Sequence, residues 1–407
     1  MNAQTAIVAP TIPAPAVMPT FVLLFAVTPD AAAGQLGVPS GVTAIPIAVA
    51  EAYRDRIEGL QQRLLGEPYL LARRLLRKSI GRLTLPHGDL EPAFADIHLV
   101  QHKSGSAVWE VWLAAPLQPL DPVRWAGWLD MENPGSLARS VWVQLAPAHV
   151  GVVKLPEMML PLVVLRYHGG TLDDLVTHHG HALVKLLHRD VSTERFKPRF
   201  VQAELDGDFC RREQGMSLIA RNGAIDVHAL VGMNTDTPED DEPLPRTALP
   251  LLVTLELLCL ERAVLRSFLD RFSRGVYGTV ADLVQLRRDI FDGLEEYYGT
   301  LAKTHGYTAE ATALGETLFG INDLFDSVVE RLEALTFEIT TRNQQAVSQL
   351  GFWLTTSFGA IETGFVAASI ATWYYADNLT AVLTWTIGVT LCTALVISGL
   401  LHWRLKP

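Results

Sequence analysis

From Gly351 to Leu401 the chain is almost wholly apolar or small, whereas upstream segments mix apolar and polar positions at short periods. A bilayer core of roughly 30 Å takes about 20 helical residues. The run divides into two such stretches, residues 351–375 and 379–401, separated by Ala376, Asp377 and Asn378. So short a linker predicts an antiparallel helical hairpin. Trp373, Tyr374 and Tyr375 close the first stretch as an interfacial aromatic belt would, and Trp353 and Trp403 mark the opposite interface. The competing reading is a pair of buried core helices. Two long, nearly uncharged runs in tandem favour the spans.

A different period precedes the hairpin. Leu318, Ile321, Phe325, Val328, Leu332, Leu335 and Ile339 alternate steps of three and four, the seam of a coiled coil or bundle. The seam becomes polar from Arg342 to Gln349, which suits either a wet vestibule or an ordinary membrane-surface transition. No proline interrupts residues 309–376, so one unbroken helix of about 65 residues is predicted, about 100 Å long at 1.5 Å per residue. Residues 251–273 also read as an apolar helix, with Pro250 suiting its start. Glu256, Glu261 and Arg262 argue against a third span and place it in the soluble body. Helical spacing continues through Leu283, Leu286, Ile290 and Leu294 to a break at Gly299 and Gly306.

The N-terminal half alternates shorter elements. Strands are predicted at 21–27, 97–101, 108–113, 141–145, 162–167, 200–205, 216–220 and 224–230, with a hairpin turn at Ser104-Gly105. Helices are predicted at 48–65, 69–82 and 171–188, the last opened by a capping box of Thr171 and Asp174. The fold class is therefore an α+β domain with a largely antiparallel sheet, followed by long stalk helices and a two-helix C-terminal transmembrane hairpin. The expected organisation is an Ala- and Pro-rich disordered segment at 1–17, the α/β domain at 18–235 and an acidic linker at 236–249. A helical stalk at 250–350 and the hairpin with its basic tail at 351–407 complete it.

Composition narrows the chemistry. A net charge of −11 argues against nucleic acid as a partner, because phosphate neutralisation needs a basic face. The mean hydropathy of +0.21 reflects the C-terminal run. Cys210, Cys259 and Cys392 are far apart and form no metal-type pair, which suits a reducing compartment. His178 and His181, with His168, His179 and His188 nearby, could hold a metal from one helix face. No acid or cysteine sits at a supporting spacing, and a solvated face is the preferred reading. The sequence contains no phosphate loop, nucleophile elbow or dinucleotide fingerprint, so no enzyme and no bound cofactor is expected.

Between Arg342 and Arg404 there is no Lys or Arg, and the 376–378 linker carries only an acid. The positive-inside bias then puts both termini in the cytoplasm of a bacterial inner membrane. Within the first stretch, Thr355, Gly359, Glu362, Val366, Ser369 and Trp373 share one face at about 100° per residue. Ala360, Gly364 and Ala368 form a small-residue stripe for close helix packing on another. A carboxylate at bilayer depth is expensive unless it meets water or a partner. Repeated around a ring of subunits, this pattern makes a pore lined by Thr355, Gly359, Glu362, Val366 and Ser369. The alternative is a protonated Glu362 hydrogen-bonded inside a bundle.

This order of elements, with its tyrosine- and asparagine-bearing loop, resembles the CorA-type divalent metal-ion transporters. In that family a Tyr-Gly-Met-Asn signature follows the first transmembrane helix. Here the same place reads Tyr375-Ala376-Asp377-Asn378, so the tyrosine and asparagine match and the two central residues do not. A Gly-Met-Asn triplet at 232–234 lies in the soluble part and is read as chance. The resemblance covers about the last 100 residues by architecture. It implies a homo-pentamer in the lipid bilayer, with the first helices lining a pore for Mg2+ or another divalent cation. It also implies that Asn378 holds a hydrated cation at the mouth, and a ring of Asp377 would add negative charge there. Divergent members without the motif include CRISPR-associated membrane effectors switched by a nucleotide signal. The runner-up is therefore a defence-type effector or sensor, activated by a small molecule on the cytoplasmic domain.

Overall fold

The computed structural model describes residues 14–28, 42–43, 59–60, 75–85, 94–102, 105–146, 155–231, 244–274, 281–285, 287–288, 306–375 and 378–404. The expectations for residues 1–13, most of the 48–65 helix, the acidic run 236–242, most of the helical stretch 279–304, Gly232 to Asn234, Ala376 and Asp377 lie outside them. The chain forms two compact units, residues 1–275 with 289–330, and residues 276–288 with 331–407.

The first unit is built on a nine-stranded sheet. Its strands are β1 (Ala16–Val27), β2 (Val42–Thr43), β3 (Leu75–Thr84), β4 (Phe94–His102), β5 (Ala107–Ala114), β6 (Gln118–Pro119), β7 (Met158–Tyr167), β8 (Gly215–Ala220) and β9 (Gly223–Ala229). The spatial order is β2-β3-β4-β5-β1-β7-β9-β8, with β6 beside β1. All pairings are antiparallel except β7 with β9. β1 is central, its Phe21 opposite Leu113 on one side and Val163 on the other. Its run of consecutive apolar residues follows from burial on both faces.

On one face Val17, Phe21, Leu23 and Phe25 pack under α1 (Pro122–Trp128), α2 (Leu137–Leu145) and α3 (Leu172–Leu187). The Phe21 and Trp125 rings meet edge to face at 5.5 Å, and the Phe25 and Trp142 rings lie 5.4 Å apart. A short helix, α4 (Pro198–Leu205), packs on α3. On the other face α5 (Leu249–Arg274) lies against β1, β5 and β7, and α6 (Tyr307–Leu318) packs on α5 and β8. Leu251, Leu255, Leu258 and Phe268 of α5 are buried, each contributing roughly 1.5–3 kcal/mol by leaving water. The α5–α6 contact is close: a Cβ at Gly315 would lie 2.4 Å from a methyl of Leu258.

The predicted 21–27, 97–101, 108–113, 162–167 and 216–220 strands all fall within observed ones, the 224–230 strand matches β9 up to Ala229, and the Gly105 turn and the Thr171–Asp174 capping box are present. Four expectations are corrected. Leu75 to Arg82, predicted helical, belongs to β3. There Arg82 makes a two-point ion pair with Asp96 across the strand, at 2.7 and 3.3 Å. Gly81, at φ 151°, carries a bulge so close to β2 that a Cβ would sit 2.3 Å from the Thr43 carbonyl oxygen. Residues 141–145 are helical because Ser136 caps the helix through the Arg139 N–H and the buried set Leu137, Ala138, Val141, Trp142 and Leu145 follows a helical period. Residues 200–205 are helical because Pro198 stands at the first turn, where its missing N–H does no harm. Ala16 and Val17, expected to be disordered, start β1.

The unbroken 309–376 helix is also corrected. α6 ends at Leu318, Gly320 takes the left-handed φ of 64°, and α7 (Ile321–Tyr374, 54 residues) begins directly after it. Left-handed backbone is cheap for glycine and strained for residues with a Cβ. Seam residues Ile321, Val328, Leu332, Leu335 and Ile339 are buried, whereas residues 343–350 are exposed. The last helix is α8 (Leu379–Arg404, 26 residues). Both α7 and α8 are long and apolar enough to cross a membrane.

Candidate functional site

In the second unit α7 and α8 form a close antiparallel pair. A Cβ on Gly364 would lie 2.3 Å from the Thr390 hydroxyl oxygen, and one on Gly359 would lie 3.4 Å from a methyl of Ile397. The buried face of α7 carries Thr356, Ala360, Gly364 and Ala371, with Ala368 half-buried. Small side chains are what allow two backbones so near each other.

Glu362 lies two residues from Ala360 and from Gly364, and so projects from the opposite side of α7. It is exposed, as are Thr355, Val366 and Ser369. Gly359, read from the sequence as part of the same lining, is half-buried beside Ile397 of α8. Three hydroxyls near Glu362 are satisfied within the helix. Thr363 donates to the Gly359 carbonyl, Ser369 to Phe365 and Thr372 to Ala368. In α8, Thr384, Thr386, Thr390 and Thr393 donate back by the same four-residue step. Such back-bonding leaves none of these seven hydroxyl protons in need of water, whereas the buried Thr356 hydroxyl has no partner among the described residues. Glu362 is the only Asp, Glu, Lys or Arg from Gly351 to Tyr375, and a carboxylate cannot be satisfied by its own helix in this way.

At the loop, Tyr375 is exposed and its ring lies 5.5 Å from that of Tyr374. Asn378 is the N-cap of α8. Its Oδ1 accepts from the Thr380 hydroxyl at 2.6 Å and from the Ala381 N–H at 3.3 Å. The acceptor atom that a hydrated cation would use is therefore engaged in capping.

The histidine-rich stretch is dispersed by its own contacts. His178 Nδ1 lies 2.9 Å from the Asp174 carbonyl, and His181 Nε2 accepts from the Phe196 N–H at 2.9 Å. His188 lies 3.0 Å from Glu204. Burial holds the pKa of His181 below the ordinary imidazole value. Among the described residues no group of three or more His, Cys, Asp or Glu side chains is placed to hold a metal.

One cluster went unread in the sequence. Asp226, fully buried in β9, accepts from the Ser217 hydroxyl at 2.6 Å and lies 2.7 Å from His228 Nε2. The Tyr307 hydroxyl, from the first residue of α6, donates to Ser217 at 3.0 Å. Asp208 accepts the N–H groups of Cys210 and Ser217. Burial, and then the Asp226 charge, push the Tyr307 phenol up from its ordinary value. Ser217 faces the carboxylate and not the imidazole, so no base is set to draw its proton toward His228. The arrangement fastens the start of α6 to the sheet. The available signal was polar Asp226 and His228 interrupting an apolar strand.

Comparison of the chain with protein-family models, with curated proteins and with solved structures returned no match.

Proposed function

We propose that the protein is a homo-oligomeric, CorA-like membrane channel or transporter for divalent cations such as Mg2+, gated by its α+β domain. The reading places it in a bacterial inner membrane with α7 and α8 as a transmembrane hairpin, both termini cytoplasmic, and five subunits around the pore. One observation carries it. Glu362 is the single charge on α7 between Gly351 and Tyr375, and it stands on the side away from the α8 packing face. Facing lipid, that carboxylate would be costly, by a few kcal/mol or more. Facing a shared polar axis, it would be hydrated and would attract cations. Thr355, Val366 and Ser369 would line the same axis, with Tyr375, Asp377 and Asn378 at its mouth.

The test is cation flux into liposomes containing the full chain. Glu362→Ala should lower flux at least tenfold, and Asn378→Ala should lower it by a smaller factor. Unaltered flux in both variants would sink the pore assignment. Particle images of the membrane-embedded protein should show a five-fold ring with α7 innermost, and a monomer or dimer would remove the family reading.

A further inference from the structure

The break between α6 and α7 forms one wall of a cavity of about 400 Å3 within the first unit. Thr317, Leu318, Phe319, Gly320 and Asp323 come from the break, and three arginines face them from other elements. Arg189 follows α3, Arg221 sits in the β8–β9 turn, and Arg262 belongs to α5.

Each arginine is held differently. Arg262 donates through Nη1 to the Phe319 carbonyl at the end of α6, while its Nε is buried with no partner. Arg189 has a left-handed backbone, φ 54°, and donates to the Leu129 carbonyl at 3.2 Å. Its pKa is lowered by burial, against the opposing pull of Asp130 and Glu132. A guanidinium remains charged through such a shift. Arg221 is exposed and makes no hydrogen bond or ion pair among the described residues. Asp323 is the one carboxylate in the lining.

The first turn of α7 opens beside these cations. Its earliest capping bond runs from the Leu324 N–H to the Gly320 carbonyl, so the N–H groups of Ile321, Asn322 and Asp323 precede the intrahelical ladder. A helix N-terminus carries about half a positive charge and suits an oxyanion. A carboxylate needs one guanidinium fork. Three guanidiniums lining one cavity beside a helix terminus, two of them with donors left over after one carbonyl bond each, offer donors to the several oxygen faces of a phosphate. The volume exceeds that of one phosphate and is typical of small-molecule pockets, and Met158 and Met159 add an apolar wall.

We propose that this cavity binds a small phosphate-bearing anion, a phosphate ester or diphosphate, between Arg189, Arg221 and Arg262 and the first turn of α7. The bound anion ties the sheet side of the unit to the Gly320 joint, from which α7 runs without interruption to Tyr374. Binding stands apart from the role of the hairpin; the use of binding as a gate rests on the channel reading.

The experiment titrates the full chain, in detergent, with pyrophosphate, inorganic phosphate and glycerol phosphate at fixed ionic strength. Saturable one-site binding is expected, tighter for pyrophosphate or glycerol phosphate than for phosphate. It should weaken at least tenfold in Arg221→Glu and in Arg189→Ala, and should be unchanged in Arg199→Glu, which lies on exposed α4. Arg221 projects from an exposed turn, so its variant should keep the parent's melting temperature. No saturable binding of any of the three anions, or equal affinity in the Arg221 and Arg189 variants, would overturn the proposal. In liposomes pyrophosphate should alter the parent's cation flux and leave that of Arg221→Glu unaltered. Binding without any flux would remove the channel reading and leave the site.

Discussion

Helices α5 and α8 are both 26 residues long and rich in leucine, yet they end in different surroundings. In α5 nearly every leucine is buried by protein, and Glu256 and Glu261 are buried with them. In α8 Leu379, Leu391 and Leu395 are 75, 59 and 72% exposed, and no acid occurs from Leu379 to its end. The apolar side chains of α5 find their solvent in the sheet above and α6 beside it. Those of α8 find only part of theirs in α7, and a bilayer would supply the rest. Apolar length alone does not separate the two cases; what covers the helix does.

The largest effect should come from exchanging a leucine for a charge in each. Leu257→Lys puts an ammonium into a fully buried position of α5 and should cost several kcal/mol, enough to unfold the first unit. Leu391→Lys should leave the thermal midpoint of the first unit within a few degrees of the parent and shift the protein out of the carbonate-resistant membrane fraction. Equal unfolding of the first unit in both variants would abolish the distinction between the helices.

A smaller effect separates the buried acids of α5 from the apolar run of α8. Burial pushes the Glu261 carboxyl up to about 8, and Glu316 on α6 adds to the shift. The unfolded side chain ionises near 4.5, so the raised folded value favours the native state most below that pH. The contribution declines as pH rises from about 4.5 to about 8 and is flat above. Glu261→Gln removes this decline. Its stability relative to the parent should grow through that window by on the order of a few kcal/mol, read as unfolding midpoints at pH 5 and pH 9. Parallel pH profiles for parent and variant would show that Glu261 is not buried as described.

The strand at β1, the capping box of α3, the β4–β5 hairpin and the two C-terminal helices were legible because each is announced by neighbours in sequence. Phe21–Val27 is a continuous apolar run, and Thr171 and Asp174 are three residues apart. The misread segments are those decided elsewhere in the fold. Leu75–Arg82 has the leucines and arginines of a helix, but pairing with β4 and the Arg82–Asp96 bridge override local propensity. The valines of 141–145 suggest a strand until the Ser136 cap is counted. Scanning for proline left the break at Gly320 unseen, because the interruption is made by a positive φ and the Arg262 bond to Phe319. The Asp226 cluster draws on Tyr307, 90 residues from Ser217, and no spacing rule reaches so far. Of the candidate site, Glu362 and the small-residue stripe were readable from period alone, whereas the capping bond of Asn378 was not.

The smallest effect belongs to that cap. Asn378→Ala should lower the stability of the hairpin by about 1 kcal/mol, and Asn378→Asp should keep most of it. Hydrogen exchange at the Ala381 N–H, the backbone donor to Asn378 Oδ1, would register the difference, and unchanged protection in Asn378→Ala would exclude the cap.

The same bond sets a competition at the helix end. The waters around a metal cation present their hydrogens outward and need acceptors. Asn378 Oδ1 is already an acceptor for its own helix, and its amide N–H2 can offer only donors. In the proposed channel, a hydrated cation arriving at a ring of Asn378 would therefore have to take each carbonyl from a helix end, giving up about 1 kcal/mol of capping per subunit. In the proposed pentamer that exchange would be a threshold of several kcal/mol if all caps opened together. Ion hydration and helix fraying would then be two readings of one equilibrium.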